Sequence, residues 1–313
     1  MMGSALTGPR LTRRALMIGG GALAIAAKSS AAPRPRPRRS RLILLGTKGG
    51  PTPSKARAPA ADLLMIDGEP YLIDCPDGTS RQLALADVQL PALRFIFISH
   101  LHSDHMAGLG ALLLLAWGAG LDTPITILGP PGLAKIVDAE LAAGAPDIEY
   151  RMREEGRADL RSLVRSVEIH EAGPIADLPV RVSCAWVNHY TVPTLAYRFD
   201  TPDRSFVFSG DTAPSPALIR LASGADVLVH EAMLESAIGR IANENAPDLR
   251  EHLLKSHTTT DDLGRIAAAA RVKTLVLTHL VPAFPDITDD QWAAGVRRHF
   301  HGKIIVGRDL MEI

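Results

Sequence analysis

The segment Ser99-His100-Leu101-His102-Ser103-Asp104-His105 puts three imidazoles and one carboxylate close together, directly after the apolar run Arg94–Ser99. That run reads as a β-strand, and His100 and His102, two residues apart in extended chain, share one side of it. Asp104 and His105 follow where the chain turns toward a helix, so four metal-binding side chains can converge on one spot. Imidazole nitrogen and carboxylate oxygen without thiolate suit zinc, with manganese or iron as alternatives. His189, His230 and His279 stand at the carboxyl ends of three further apolar runs, and Asp211 follows a fourth. Strand ends carry sites whereas strand interiors carry packing, so one metal centre assembled from distant segments is expected.

The elements that must position these residues alternate along the chain. β-Branched and apolar runs bounded by turn residues predict strands over 42–45, 63–66, 71–75, 95–99, 125–128, 180–187, 195–199, 205–209, 227–229, 274–278 and 303–306. Helices are expected near 107–117, 132–141, 215–221, 260–270 and 289–298, with Thr260-Asp261-Asp262 a favourable helix start. Early strands come as hairpins and later ones are separated by helices, which predicts an α+β arrangement of mixed sheets covered by helices. With 313 residues, 46% of them hydrophobic, the chain can bury a sizeable core. Its two cysteines, Cys75 and Cys184, are too few for a disulfide scaffold and lack the spacing of a thiolate metal site.

The formal net charge of zero conceals an asymmetry. Residues 1–61 hold 12 of the 34 Lys/Arg and none of the 34 Asp/Glu, leaving 22 against 34, a net of −12, for residues 62–313. So acidic a folded part disfavours general nucleic-acid binding, which depends on cations neutralising phosphates. The basic start has its own pattern: Arg13-Arg14, an apolar run from Ala15 to Ala27, then Ser29-Ser30-Ala31-Ala32. This reads as an export signal over residues 1–32, and the paired arginines resemble those recognised by the twin-arginine machinery, its expected partner. The apolar run is shorter than the roughly 20 residues a spanning helix needs, so no permanent membrane anchor is expected. Residues 33–40 read as a Pro/Arg linker, residues 41–313 as the functional domain, and the location as periplasmic or secreted.

The motifs together resemble the metallo-β-lactamase-fold hydrolases, in the branch of ribonuclease Z and the zinc arylsulfatase-like enzymes. Leu45-Gly46-Thr47, Asp74-Cys75-Pro76-Asp77-Gly78-Thr79, the His100–His105 segment, Ser209-Gly210-Asp211-Thr212, His230-Glu231-Ala232, His257-Thr258-Thr259 and Leu277-Thr278-His279 carry the resemblance in order. It implies a metallo-β-lactamase-type αββα four-layer sandwich and two divalent metal ions, zinc first. It also implies that His100, His102 and His189 bind one ion, that Asp104, His105 and His279 bind the other, and that Asp211 bridges them. Asp104 is then part of the catalytic centre, and a metal-bridging hydroxide is the expected nucleophile. Glu231 and His257 match a pair beside the scissile bond, with His257 as general acid for the leaving oxygen. Enzymes of this branch are often homodimers, and the apolar segment 109–117 suits either core or interface.

Asp211 and the absence of a cysteine ligand disfavour β-lactam hydrolysis. Transfer RNA processing in this family relies on a long basic arm. The matching interval, between Gly132 and Ala172, is short and interleaves Arg151, Arg153, Arg157, Arg161 and Arg165 with acidic residues. The expectation is therefore an exported hydrolase of small anionic esters, phosphodiester or sulfate ester first. A lactone or carboxylic ester on the same site, or a secreted metal-binding protein without catalysis, are the alternatives. Lys48 and Pro76 depart from the family pattern near the expected site.

Overall fold

A computed structural model describes residues 40–241 and 246–313. The expected export signal lies outside the described residues, as does the linker up to residue 39. Ser40, counted with the linker, instead belongs to the fold: it is buried, and its hydroxyl donates to Asp203 Oδ1 at 2.6 Å.

The strands are β1 (Arg41–Gly46), β2 (Ala61–Ile66), β3 (Glu69–Ile73), β4 (Phe95–Phe97), β5 (Ile125–Gly129), β6 (Val164–Glu168), β7 (Gly173–Ile175), β8 (Arg181–His189), β9 (Val192–Asp200), β10 (Ser205–Phe208), β11 (Val227–Met233), β12 (Thr274–Val281), β13 (Lys303–Val306) and β14 (Met311–Glu312). They form two sheets, ordered β14-β1-β2-β3-β4-β5-β6 and β13-β12-β11-β10-β9-β8-β7. The β2–β3 hairpin turns through Asp67 and Gly68, both at positive φ, as a two-residue turn matched to strand twist requires. Alternation along β1 shows how the layers arise. Leu42 and Leu44 enter a core between the sheets with Phe97, Tyr197 and Phe206, while Ile43 and Leu45 face the outer helices. Helices Leu109–Gly118 and Leu133–Ala143 cover the first sheet, and Pro216–Leu221, Thr260–Ala270 and Asp289–Arg297 pack on the second. The result is the expected αββα sandwich.

Segment 109–117 resolves as core: Leu109, Leu112, Leu113 and Trp117 are buried, and Leu115 is exposed. Cys75 and Cys184 are free, buried thiols in different cores, Cys75 beneath the outer helices and Cys184 between the sheets. Among the described residues no helix is long and apolar enough to cross a membrane. Helix Thr260–Ala270 begins as expected, with Thr259 as its cap, accepting from Asp262 N.

One close approach fixes the position of the site. Cys75 N donates to His105 O at 2.7 Å and Gly108 N to Cys75 O at 2.9 Å, which ties the His-rich segment to the end of β3. A Cβ on Gly108 would stand 2.1 Å from Pro76 O. Gly108→Ala is therefore expected to cost about 1–3 kcal/mol, as overpacking does, read as a fall of several degrees in thermal midpoint beside a wild-type control.

Candidate metal centre and proton-donor pair

Five segments deliver the predicted residues to one edge of the sandwich. His100 and His102 lie just beyond β4, and the short helix Ser103–Met106 carries Asp104 and His105. His189 ends β8, held there by the tight turn at Tyr190 that reverses the chain into β9. Asp211 follows β10, and His279 lies in β12 at φ 42°. Gly210 precedes Asp211 at φ 58° in a spot where a Cβ would meet Leu195 O at 2.8 Å, so the turn there requires glycine.

The donor atoms converge. His100 Nε2 and His189 Nε2 lie 3.1 and 3.3 Å from His102 Nδ1, and His105 Nε2 lies 3.2 Å from His279 Nε2. Asp104 Oδ2 is 3.4 Å from His279 Nε2 and 3.8 Å from His105 Nε2. Asp211 Oδ2 reaches both groups, at 3.9 and 4.0 Å from His100 and His189 and at 3.4 and 3.3 Å from His105 and His279. Ligands at about 2.0–2.1 Å around a tetrahedral ion sit roughly 3.3–3.4 Å apart, so the spacing fits two such ions sharing Asp211. Divalent cations are also what this chemistry attracts. Burial, aided by neighbouring imidazoles, pushes His100, His102 and His189 below the usual histidine range, leaving them neutral and ready to ligate. Asp104 and Asp211 are held below the carboxylate range: burial works against this, and the facing imidazoles outweigh it. His105 is pushed well above its ordinary range in spite of burial, by Asp211 and Asp74. That end of the cluster draws positive charge strongly.

Asp74 is a site residue the sequence reading missed. Placed at positive φ just after β3, it accepts from Ser99 N at 2.7 Å, Ser99 Oγ at 2.8 Å and His105 Nδ1 at 2.8 Å. It thereby fixes the ring of His105 with Nε2 toward the cluster. The strand-end reasoning applied to histidines would have found it. Asp74→Ala is expected to lower metal affinity about 10- to 100-fold, as loss of a ligand-orienting partner does, measured by competition with a chromophoric chelator.

His230 departs from expectation. It lies within β11, where alternation gives it the parity of Leu228 and Ala232, which face the outer helices, while Glu231 turns to the site. Its Nδ1 bonds to Glu231 O at 2.7 Å and it joins no group of converging donors among the described residues. Glu231 and His257 do meet. His257 ends helix Leu249–Ser256, with Nδ1 3.2 Å from Glu231 Oε1, which also accepts from Thr258 N at 2.9 Å and Thr212 N at 3.2 Å. The His257 ring stacks on that of His279 at 5.7 Å.

A cavity of about 780 Å³ opens over this cluster. His102, Asp104, His189, Asp211, His257 and His279 line it, together with Lys48 and His252.

The family described as "Beta-lactamase superfamily domain" matches residues 69–280. A ribonuclease Z of Mycobacterium bovis (strain BCG / Pasteur 1173P2) is 36% identical over 279 residues, 87% of this chain and 97% of the relative. One from Mycobacterium tuberculosis (strain ATCC 25618 / H37Rv) is 34% identical over 279 residues with the same shares, 87% and 97%. The metallo-beta-lactamase fold protein YhfI from Bacillus subtilis is similar with a TM-score of 0.66 at 20% identity, over 88% of this chain and 98% of that one. Human tRNase Z, short form, gives 0.61 at 23% identity, over 87% and 98%. At these identities the two structures speak for the fold, and the curated relatives speak for the family. The chain belongs to the beta-lactamase superfamily, among the ribonuclease Z-like metal-dependent hydrolases.

Proposed function

We propose that this hydrolase cleaves small phosphodiesters in an exported location, using His100, His102, His189, Asp104, His105, His279 and Asp211 as ligands of two divalent ions, zinc first. The observation that carries this reading is the Glu231–His257 pair at 3.2 Å, with His257 lining the same cavity as the ligand cluster. Divalent ions held there supply Lewis acidity and make water nucleophilic at neutral pH. His257 Nδ1–H donates to Glu231, which leaves Nε2 to carry the proton for the departing oxygen. Glu231, fixed by the Thr258 and Thr212 amides, favours the charged imidazole. Asp104, beside His279, completes the cluster on the cavity side. The export reading rests on Arg13-Arg14 and the apolar run after it.

RNA is the second reading, favoured by the name ribonuclease Z carried by the curated relatives. Against it stand the arginines of the interval 132–172. Arg151 pairs with Asp147 and Glu155, Arg157 with Glu155, and Arg161 with Asp159. Such ion pairs spend their charge locally and make a solvated face rather than a phosphate track.

The test is hydrolysis of bis(p-nitrophenyl) phosphate, p-nitrophenyl sulfate and a precursor transfer RNA by the zinc- or manganese-loaded chain, each repeated with Asp104→Ala. Turnover of the phosphodiester that vanishes in the variant is expected. Turnover of the sulfate alone makes the enzyme an arylsulfatase, cleavage of the RNA alone restores RNA processing, and silence on all three with metal bound moves the reading to lactones, carboxylic esters or a binding protein.

A further inference from the structure

The cavity over the cluster is chemically two-sided. Its floor is the ligand cluster and His257. Apolar side chains, Ile241, Leu249, Leu253, Val281 and Phe284, line the cavity as well and make an apolar wall. Leu253 and Val281 are themselves buried in a small satellite core with Met233 and Ile238, so this wall is packed rather than loose.

Two cationic side chains besides the histidines line the cavity among the described residues, and they differ in what they can still do. Arg240 is committed: its guanidinium makes a two-pronged pair with Asp286 at 2.9 Å on each arm and stacks 4.3 Å over Phe284. Lys48 is buried and fixed by its backbone, which bridges to Pro59 and Leu280. Its ammonium donates to Gly49 O at 2.9 Å and Gly50 O at 2.6 Å. Those carbonyls orient the charge without neutralising it.

We infer that the organic group of the substrate is apolar, an aryl or medium-length alkyl group lying on the Leu253–Val281–Phe284 wall, with Lys48 holding an anionic oxygen of the ester. This rests on the metal-centre reading and adds the organic half of the substrate. Three observations converge on it. A volume of about 780 Å³ suits a ligand of tens of atoms, whereas a methyl ester would leave most of it to water. The wall gains from burying hydrocarbon, at roughly three- to fourfold in affinity per methylene. Beside the metal centre, and with Arg240 paired to Asp286, Lys48 is the one further side-chain cation lining the cavity among the described residues, which suits one anionic centre better than a chain of phosphates.

The probes are methyl-, n-hexyl- and phenylphosphonate and adenosine 5′-monophosphate, titrated calorimetrically into the zinc-loaded chain. Hexyl- and phenylphosphonate are expected to bind at least about tenfold more tightly than methylphosphonate, and more tightly than the nucleotide. Phe284→Gln and the near-isosteric Val281→Thr should shrink that ratio. Lys48→Met should weaken all four ligands by a similar factor while preserving the ratio, with Lys48→Arg restoring affinity. Equal affinity across the alkyl series, or tighter binding of the nucleotide, overturns the inference. Because binding is read without turnover, failure of the phosphodiesterase reading leaves this result separately legible.

Discussion

Asp211→Asn is expected to lower kcat/KM on the order of 10³-fold, since metal activation supplies several kcal/mol of barrier reduction. Of the seven proposed ligands, Asp211 alone sends one oxygen toward both groups, with approaches of 3.3 and 3.4 Å on one side and 3.9 and 4.0 Å on the other. An amide keeps the shape but loses the charge that balances the cations, and it can offer only one oxygen. Both affinities should fall, and with them the stabilisation that bound metal confers. At a thousandfold excess over its dissociation constant a ligand adds about 4 kcal/mol to stability. Wild-type protein should therefore lose several degrees of thermal midpoint on chelation, and Asp211→Asn should lose markedly less. Full activity in Asp211→Asn, with two metals still bound, would exclude the bridging role.

The second large effect concerns His257. His257→Ala is expected to reduce kcat about 10²–10⁴-fold on esters with alkoxide leaving groups. It should change turnover of nitrophenyl esters far less, because a nitrophenolate departs without a proton. An equal loss on both would sink the general-acid role. The pH profile gives an independent reading. Burial opposes charge on His257, but the Glu231 carboxylate outweighs it, through charge and hydrogen bond with help from Asp211, and carries the pKa up to about 9. A general acid works while protonated, so kcat falls as pH rises through that pKa. Bound cations cancel Asp211's part, so with metal present the descending limb should lie below about 9. Glu231→Gln removes the first support and should move the limb toward lower pH, an effect that a purely structural role for Glu231 would not produce.

Much of this centre was legible before any coordinates, for reasons that can be named. Protein ligands of zinc are drawn from His, Cys, Asp and Glu, and here they follow the strongest strands, so residue type and strand-end position suffice to place His100, His189 and Asp211. His279 was found by the same rule although it lies inside β12, because the strand runs three residues further than the apolar run suggested. His230 shows where the rule breaks. β11 likewise extends to Met233, and in a strand neighbouring residues face opposite ways, so Glu231 reaches the site and His230 cannot. Three of the four edge strands were invisible for a different reason. β6, β7 and β14 are short, half-exposed strands with little apolar pattern, and helix Ala145–Glu155 buries only Ile148. Asp74 was legible as a carboxylate at a strand end but not as the partner of His105, a contact between residues 31 apart that spacing does not reveal. The apolar wall was equally hidden, being assembled from Ile241, Leu249, Leu253 and the segment 281–284, whose hydrophobic residues read as ordinary core.

Metal stoichiometry is the measurement to make, by native mass spectrometry of the purified chain after loading with zinc and exhaustive dialysis. Two ions per chain are predicted, falling to one or none in Asp211→Asn. A chain that hydrolyses esters while holding no metal, or holding a single ion that Asp211→Asn leaves in place, would contradict a binuclear centre built on His100, His102, His189, Asp104, His105, His279 and Asp211.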